Sequence, residues 1–356
     1  MKDLKNILAK RFGSDQVHTG KESESLQYIP FGISTQSLCV DLAIGLPGIP
    51  AGKLTQITGL DGCGKSTLVQ NIMAEAQRIG GQIVLLDTEH AYDARRARAI
   101  GINTKEWVIL EPDHLEQLMD MIMITCETFY KDRKSDIGKV PLLIVIDSLE
   151  GVRTKDQLQG SSEDKFVASV ARVLSNALPK VQKTLAKYKA SLIVVSQLIT
   201  EIGTNSYFGP QYNTKGGLSL RYFASLRIKI DGKNTKTNRL YDDNDVCLGF
   251  KNVIEVLKNK SCPPFKKATY FLRFDCGIDK YIDLLDASVE LELLTPGGAG
   301  YYSGKIGKHD LKFRKKEWKE IVDTKFKGPD KLRQNLTKLA INKGLLKDYS
   351  YELADE

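Results

Sequence analysis

No apolar run in this chain of 356 residues is long enough to cross a bilayer, and the N-terminus has no signal-peptide h-region. A membrane partner is therefore excluded, and a cytoplasmic location is expected. The six cysteines (39, 63, 126, 247, 262, 276) contain no C-x-x-C pair, which argues against a zinc site and a disulfide framework. Internal repeats and low-complexity segments are also missing. Charge is not diagnostic. A net +8 leans toward polyanions, yet 27% charged and 42% hydrophobic residues are ordinary for a globular protein. The length suits one large core with a smaller satellite domain.

What is present centres on Gly59-Leu60-Asp61-Gly62-Cys63-Gly64-Lys65-Ser66, which fits G-x-x-x-x-G-K-[ST] at every fixed position. An apolar-rich run, 54–58, precedes it, and a helical pattern with Leu68, Val69, Ile72, Met73 and Ala76 follows. That strand–loop–helix context lets glycine-rich backbone N–H groups close around phosphate oxygens at a helix N-terminus. Lys65 is expected to hold the β- and γ-phosphates and Ser66 to place its hydroxyl on Mg²⁺. Cys63 is expected to be a free thiol.

Strands are predicted at 54–58, 82–87, 107–110, 141–147 and 191–196, with helices at 66–79, 93–99, 114–130 and 164–188. Apolar strands alternating with helices indicate an α/β fold with a parallel sheet. Runs 224–230 and 252–258 extend it, and 231–245 reads as a polar surface loop. Residues 1–12 form an amphipathic pattern with Leu4, Ile7, Leu8 and Phe12, followed by a polar linker. Such a helix docks either on another subunit or on its own core. From about 286 the composition shifts. Pro296–Gly300 is followed by what reads as a basic helical stretch. Residues 300–333 carry eleven Lys or Arg against five Asp or Glu, with Tyr301, Tyr302 and Trp318 interleaved. They suit a phosphate backbone or form a solvated face.

Three strand ends carry the remaining chemistry. Asp147 follows Leu142–Ile146 at the edge where parallel sheets bind ligands, and is a candidate to support Mg²⁺. Glu89 lies just beyond the strand ending in Asp87 and is the candidate to activate water, or else caps the next helix. His90 could polarise water or be structural. Gln197 could sense the γ-phosphate. The stretch from Ile199 to Gly217 is long, polar and glycine-rich, with Tyr207, Phe208 and Tyr212 suited to stacking on single-stranded bases or to a subunit contact.

In this order and spacing, the set resembles the bacterial RecA family of homologous-recombination ATPases from Ile33 to Gly307. The matching segments include Asp87-Thr88-Glu89-His90-Ala91 with Asp93, Asp147-Ser148, Gln197 and Phe208-Gly209-Pro210. Gly216-Gly217, Tyr222-Phe223-Ala224-Ser225 and Lys258-Asn259-Lys260 continue the series. The resemblance implies a P-loop ATPase core with a mostly parallel sheet (33–285), an N-terminal polymerisation helix and linker (1–32) and a small α/β C-terminal domain (286–356). It implies ATP and Mg²⁺ as cofactors. Gly59, Asp61, Gly62, Cys63, Gly64, Lys65, Ser66 and Thr67 would hold phosphate and metal. Asp93 would be among the cofactor-binding residues, Arg96 and Phe274 would flank adenine, Asp147 would support the metal, and Gln197 would couple the γ-phosphate to the DNA loop. Lys258 and Lys260 would reach ATP on a neighbouring subunit, unless they merely line a solvated edge. Two DNA loops are implied, roughly 157–167 and 199–215, with Arg172, Ser175, Ile199, Phe208, Gly216 and Gly217 at DNA.

The sequence departs from the family at three places. Pro179 stands for a basic DNA contact, Leu218 for an Asn, and Arg96 for a Tyr against adenine; a guanidinium there would stack on the purine or point to solvent. Residues 231–245 also diverge, and the acidic tail is reduced. These features suit a divergent or phage-encoded member. The expected activity is an ATP-dependent recombinase that forms helical filaments on single-stranded DNA and exchanges strands with homologous double-stranded DNA. The rivals are a ring-forming helicase motor and a DNA-independent clustering ATPase.

Overall fold

Alternation along the strands organises the protein. In the strand Leu142–Asp147, Leu142, Ile144 and Ile146 join one buried cluster while Leu143 and Val145 join another. In Ser191–Thr200, Leu192 and Val194 divide from Ile193 and Val195 in the same way. Successive side chains point to opposite faces of a strand, so a run that is apolar throughout must be covered on both sides. The computed structural model describes residues 2–13, 17–20, 23, 28–90, 92–159, 166–200, 212–214, 217–232, 238–242 and 244–349.

The core elements are β1 (Leu54–Gly59), α1 (Lys65–Arg78), β2 (Gln82–Asp87), α2 (Ala94–Ile100), β3 (Val108–Leu110), α3 (Leu115–Tyr130), β4 (Leu142–Asp147), α4 (Phe166–Tyr188), β5 (Ser191–Thr200), β6 (Leu226–Ile230), β7 (Cys247–Asn259), β8 (Lys267–Arg273), β9 (Gly277–Ile278) and α5 (Lys280–Glu290). The sheet runs β9-β8-β7-β6-β1-β5-β4-β2-β3. From β6 to β3 all pairs are parallel, and β7, β8 and β9 add on antiparallel. α1 covers one face with Leu68, Val69, Ile72, Met73 and Ala76. α3 and α4 cover the other, α4 through Val170, Leu174, Leu178, Val181 and Leu185 at three- and four-residue spacing. The mixed α/β fold with a mostly parallel sheet agrees with the expectation.

Three local expectations are corrected. The segment expected as a loop over 231–245 contains a strand, Arg239–Tyr241, paired antiparallel with β7. The expected loop from Ile199 begins inside β5, because Tyr212–Thr214 folds back on Leu198–Thr200 as a hairpin stem. After Gly300 the chain forms two strands, Tyr301–Ile306 and His309–Arg314, rather than a helix. Period-two burial (Tyr302, Ile306; Leu311, Phe313) and a turn at Gly307, φ +59, override the basic composition there. The helices Trp318–Lys325 and Pro329–Asn342 follow.

A buried polar network ties this C-terminal part to the core. Arg333 donates to both Glu75 oxygens on α1 (3.0 and 3.1 Å) and to Ser34 Oγ (2.8 Å). Burial opposes the Glu75 charge, but Arg78 and Arg333 outweigh it and hold the carboxyl below its usual range. Nearby, Asp41 accepts from Ser34 and Thr35, and Asp283 of α5 accepts from Ser37 Oγ and from Leu38 N–H (2.6 Å). Burial raises Asp41 to about 6. Burial, with Asp41 and Asp286 beside it, raises Asp283 to about 7 despite those donors. A carboxyl raised on folding binds more protons in the native than in the unfolded state. Its stability contribution is therefore complete below the ordinary carboxylate range and is lost as pH rises through the folded value. Wild type is expected to lose Tm between about pH 4 and 7, and Asp283→Asn to flatten that slope. Parallel Tm profiles for the two proteins would contradict the assignment.

Candidate functional site

β1 hands directly into the phosphate loop. Gly64, φ +87, ends the loop as the N-cap of α1, and a Cβ there would lie 2.4 Å from Leu272 Cδ1. A Cβ on Gly59 would lie 2.5 Å from Cys63 Sγ. Both close approaches require glycine. Lys65 is buried, and its Nζ donates to the Gly59 and Leu60 carbonyls at 3.2 and 2.8 Å. Asp61 is exposed and accepts from Gly62 N–H at 2.9 Å. Cys63 is a buried free thiol, and burial raises its pKa.

Strand register assembles the rest. Gly59 pairs with Gln197, and Asp87 with Asp147, so the phosphate loop, the half-buried Gln197 and both acids share the C-terminal edge of the parallel strands. Ser66 and Asp147 line the same cavity. Burial raises the Asp147 pKa; Ser66 and Lys65 oppose the rise, and Glu89 and Asp87 add to it. Among the described residues no cluster of three acids is close enough to hold a metal by itself, but Mg²⁺ typically takes one or two carboxylates plus phosphate oxygens, a role that Asp147 beside Ser66 would suit. A cavity of about 70 Å³ opens here between Ser66, Asp87, Glu89, Tyr92 and Asp147. Glu89 accepts from Ser148 Oγ, and its N–H reaches Asp87 Oδ1 at 3.3 Å. The helix-cap alternative for Glu89 is removed. Asp93 is the N-cap of α2, accepting from Arg95 and Arg96 N–H. His90 lies 3.6 Å from Glu111 in an exposed pair, which favours its structural reading.

Arg96 is exposed, yet its Nη2 donates to Thr67 Oγ1 in the first turn of α1. Phe274 is 54% exposed, its ring centroid 5.9 Å from that of Phe250.

Lys258 and Lys260 sit at the opposite sheet edge. Lys258 pairs with Arg227, which in turn pairs with Gln56, and Lys260 N–H donates to Ser225 O. Gln56 lies three residues before Gly59, so the two edges are roughly 10 Å apart along β1. Lys258 Nζ donates to the Arg221 and Tyr222 carbonyls at 2.7 and 2.9 Å. Burial, then Lys260 and Arg227, lower its pKa.

The family model described as RecA N-terminal domain matches residues 2–279. Protein RecA of Helicobacter hepaticus is 35% identical over 295 residues, covering 82% of this chain and 81% of that protein. Protein RecA of Aquifex aeolicus is 33% identical over 326 residues, covering 90% and 88%. The chain belongs to the RecA family. That membership carries ATP binding, DNA binding and DNA recombination and repair as the family's domain of activity.

The expected DNA-facing residues of this RecA-family protein are placed only in part. Phe208 and Gly216 lie outside the described residues, as do 160–165. Ile199 lies in β5, and Gly217 begins a short helix, Gly217–Phe223. Arg172 and Ser175 are three apart on α4 and share a face. Arg172 pairs with Asp156 at 2.8 Å and Ser175 Oγ with Ser219 Oγ at 2.6 Å. Pro179 extends that face by one turn. Among the described residues no helix is long and apolar enough to cross a membrane.

Sequence reasoning missed Asn252. Fully buried in β7, it donates to Cys63 O at 2.8 Å and to Tyr270 OH at 3.3 Å, clamping the crown of the phosphate loop to the antiparallel strands. Its signal was one amide on the strand face that otherwise carries Ile254 and Val256. Asn71 was also missed: it accepts from Ile278 N–H and donates to Thr67 O, tying α1 to β9.

Proposed function

We propose that this RecA-family protein is an ATP-dependent recombinase that assembles helically on single-stranded DNA and pairs it with homologous duplex. The observation that carries the reading is the placement of Lys258 and Lys260 at the sheet edge opposite their own phosphate loop. Lys53, Arg227, Lys258 and Lys260 form a cationic group. Burial and Lys260 lower the Lys53 pKa just as burial and its neighbours lower that of Lys258. An anion from outside the subunit would relieve that repulsion, and the triphosphate on a neighbour is such an anion.

Lys65, Ser66 and Asp147 would hold phosphate and Mg²⁺, which would supply charge neutralisation at the phosphates. Glu89, held by Ser148, accepts a proton from the attacking water. Gln197, in register with Gly59, links the γ-phosphate to the segment after β5, where Phe208 would meet DNA. The N-terminal helix Lys2–Phe12 leaves Leu4, Ile7 and Phe12 more than half exposed, which favours docking on another subunit over its own core. We assign 1–32 to polymerisation, 33–285 to the motor and 286–356 to gathering duplex through its basic residues. The test is ATP-dependent joint-molecule formation between a single strand and a homologous duplex.

A further inference from the structure

Arg96 occupies a position that would gain from an anion nearby. α1 is a 14-residue helix with no acidic residue in its first turn and Lys65 already at its start. The N–H groups of that turn carry positive partial charge, so a cation there is on the wrong side of the helix dipole. Arg96 nonetheless reaches in from α2, and its Nη2 donates to Thr67 Oγ1, a side chain that is almost fully buried. Asp93, the nearest acid on its own element, is engaged with the Arg95 and Arg96 backbone N–H groups. No ion pair to the Arg96 guanidinium is found among the described residues. Lys65 and the loop flank one side of this turn and Ser66 turns toward Asp147. Arg96 thus adds a fork of donors on the remaining flank.

We infer that Arg96 is a phosphate-positioning residue, pairing with the α-phosphate of a bound nucleoside di- or triphosphate through the Thr67 corner of the site rather than stacking on the base. The inference rests on the nucleotide-site reading above. A guanidinium offers paired N–H donors to phosphate oxygens, and Thr67 fixes its approach. The contact would be the same for ATP and ADP, because both carry the α-phosphate, and independent of the base. Selectivity for adenine then falls to Phe274 and its surroundings.

The test is calorimetric binding of ADP and of a non-hydrolysable ATP analogue. Arg96→Ala is expected to weaken both on the order of ten-fold, by equal factors, and to reduce the salt dependence of ADP binding. Arg96→Lys should recover part of the loss because the charge returns. Arg96→Tyr should not, although it returns a stacking surface. Arg96 is exposed, so Tm should be unchanged, which separates a binding defect from misfolding. Recovery by Arg96→Tyr, or wild-type affinity in Arg96→Ala, would overturn the inference and leave the nucleotide site standing. Absence of ADP binding in the wild-type protein would instead overturn the site itself, and the inference with it.

Discussion

Lys65→Ala is expected to abolish ATP turnover. Lys65 is buried, and its ammonium lies against the Gly59 and Leu60 carbonyls within the curve of the loop. Alanine removes the one side-chain cation built into that loop. Losing a preorganised donor to developing charge lowers kcat by about 10²–10³, and loss of ground-state binding adds to this. Glu89→Gln should separate binding from chemistry. The amide can still accept from Ser148 Oγ but cannot take a proton from water, so ATP and DNA binding should persist while hydrolysis slows by about 10²–10⁴. Steady-state phosphate release and nucleotide titration check both. Wild-type turnover in Glu89→Gln would mean that another group activates water.

The second large effect belongs to Lys258. Lys258→Ala should reduce DNA-stimulated hydrolysis by about 10²–10³, the scale for a cation acting on transferring phosphate, while nucleotide affinity of the isolated subunit changes little. The reason is topological. β7 runs antiparallel to β6, so its C-terminal end reaches the sheet edge where β1 begins, not where the phosphate loop starts. Lys258 therefore lies at the end of the sheet away from its own subunit's phosphate loop. An equimolar mixture of Lys258→Ala and Glu89→Gln subunits should regain activity, because about a quarter of random heterologous interfaces pair an intact Glu89 with an intact Lys258. Activity no greater than the sum of the two variants at every ratio would contradict a shared interface.

The central strands were legible because burial on both faces leaves near-continuous apolar runs such as Leu142–Ile146, and the phosphate loop has a fixed spacing. Register was not legible in the same way. That Gly59 stands beside Gln197 and Asp87 beside Asp147 depends on pairing across the sheet. It is this pairing that turns separate strand ends into one site. Strands were missed where composition misled. His309–Arg314 is dense in Lys and Arg because only alternate residues enter the core, and Tyr212–Thr214 needs β5 as a template. The support residues Asn252, Asn71 and Arg333 tie segments 189, 207 and 299 positions apart in sequence, which no local pattern encodes. Arg96 was read from its place opposite Phe274. Its bond to Thr67 depends on how α2 packs on α1, and that packing is the ground for proposing a phosphate role in place of a base contact.

The most direct measurement of the central claim is joint-molecule formation. A single-stranded circle and a linear duplex are incubated with the protein, ATP and Mg²⁺, and the products are resolved on a gel. Joint molecules should form with homologous duplex, fail with heterologous duplex, require nucleotide, and vanish in Lys65→Ala. Unwinding of a forked duplex without homologous pairing would point to a helicase motor. ATP turnover indifferent to DNA, with no joint molecules, would point to a clustering ATPase. Either result would contradict the recombinase reading.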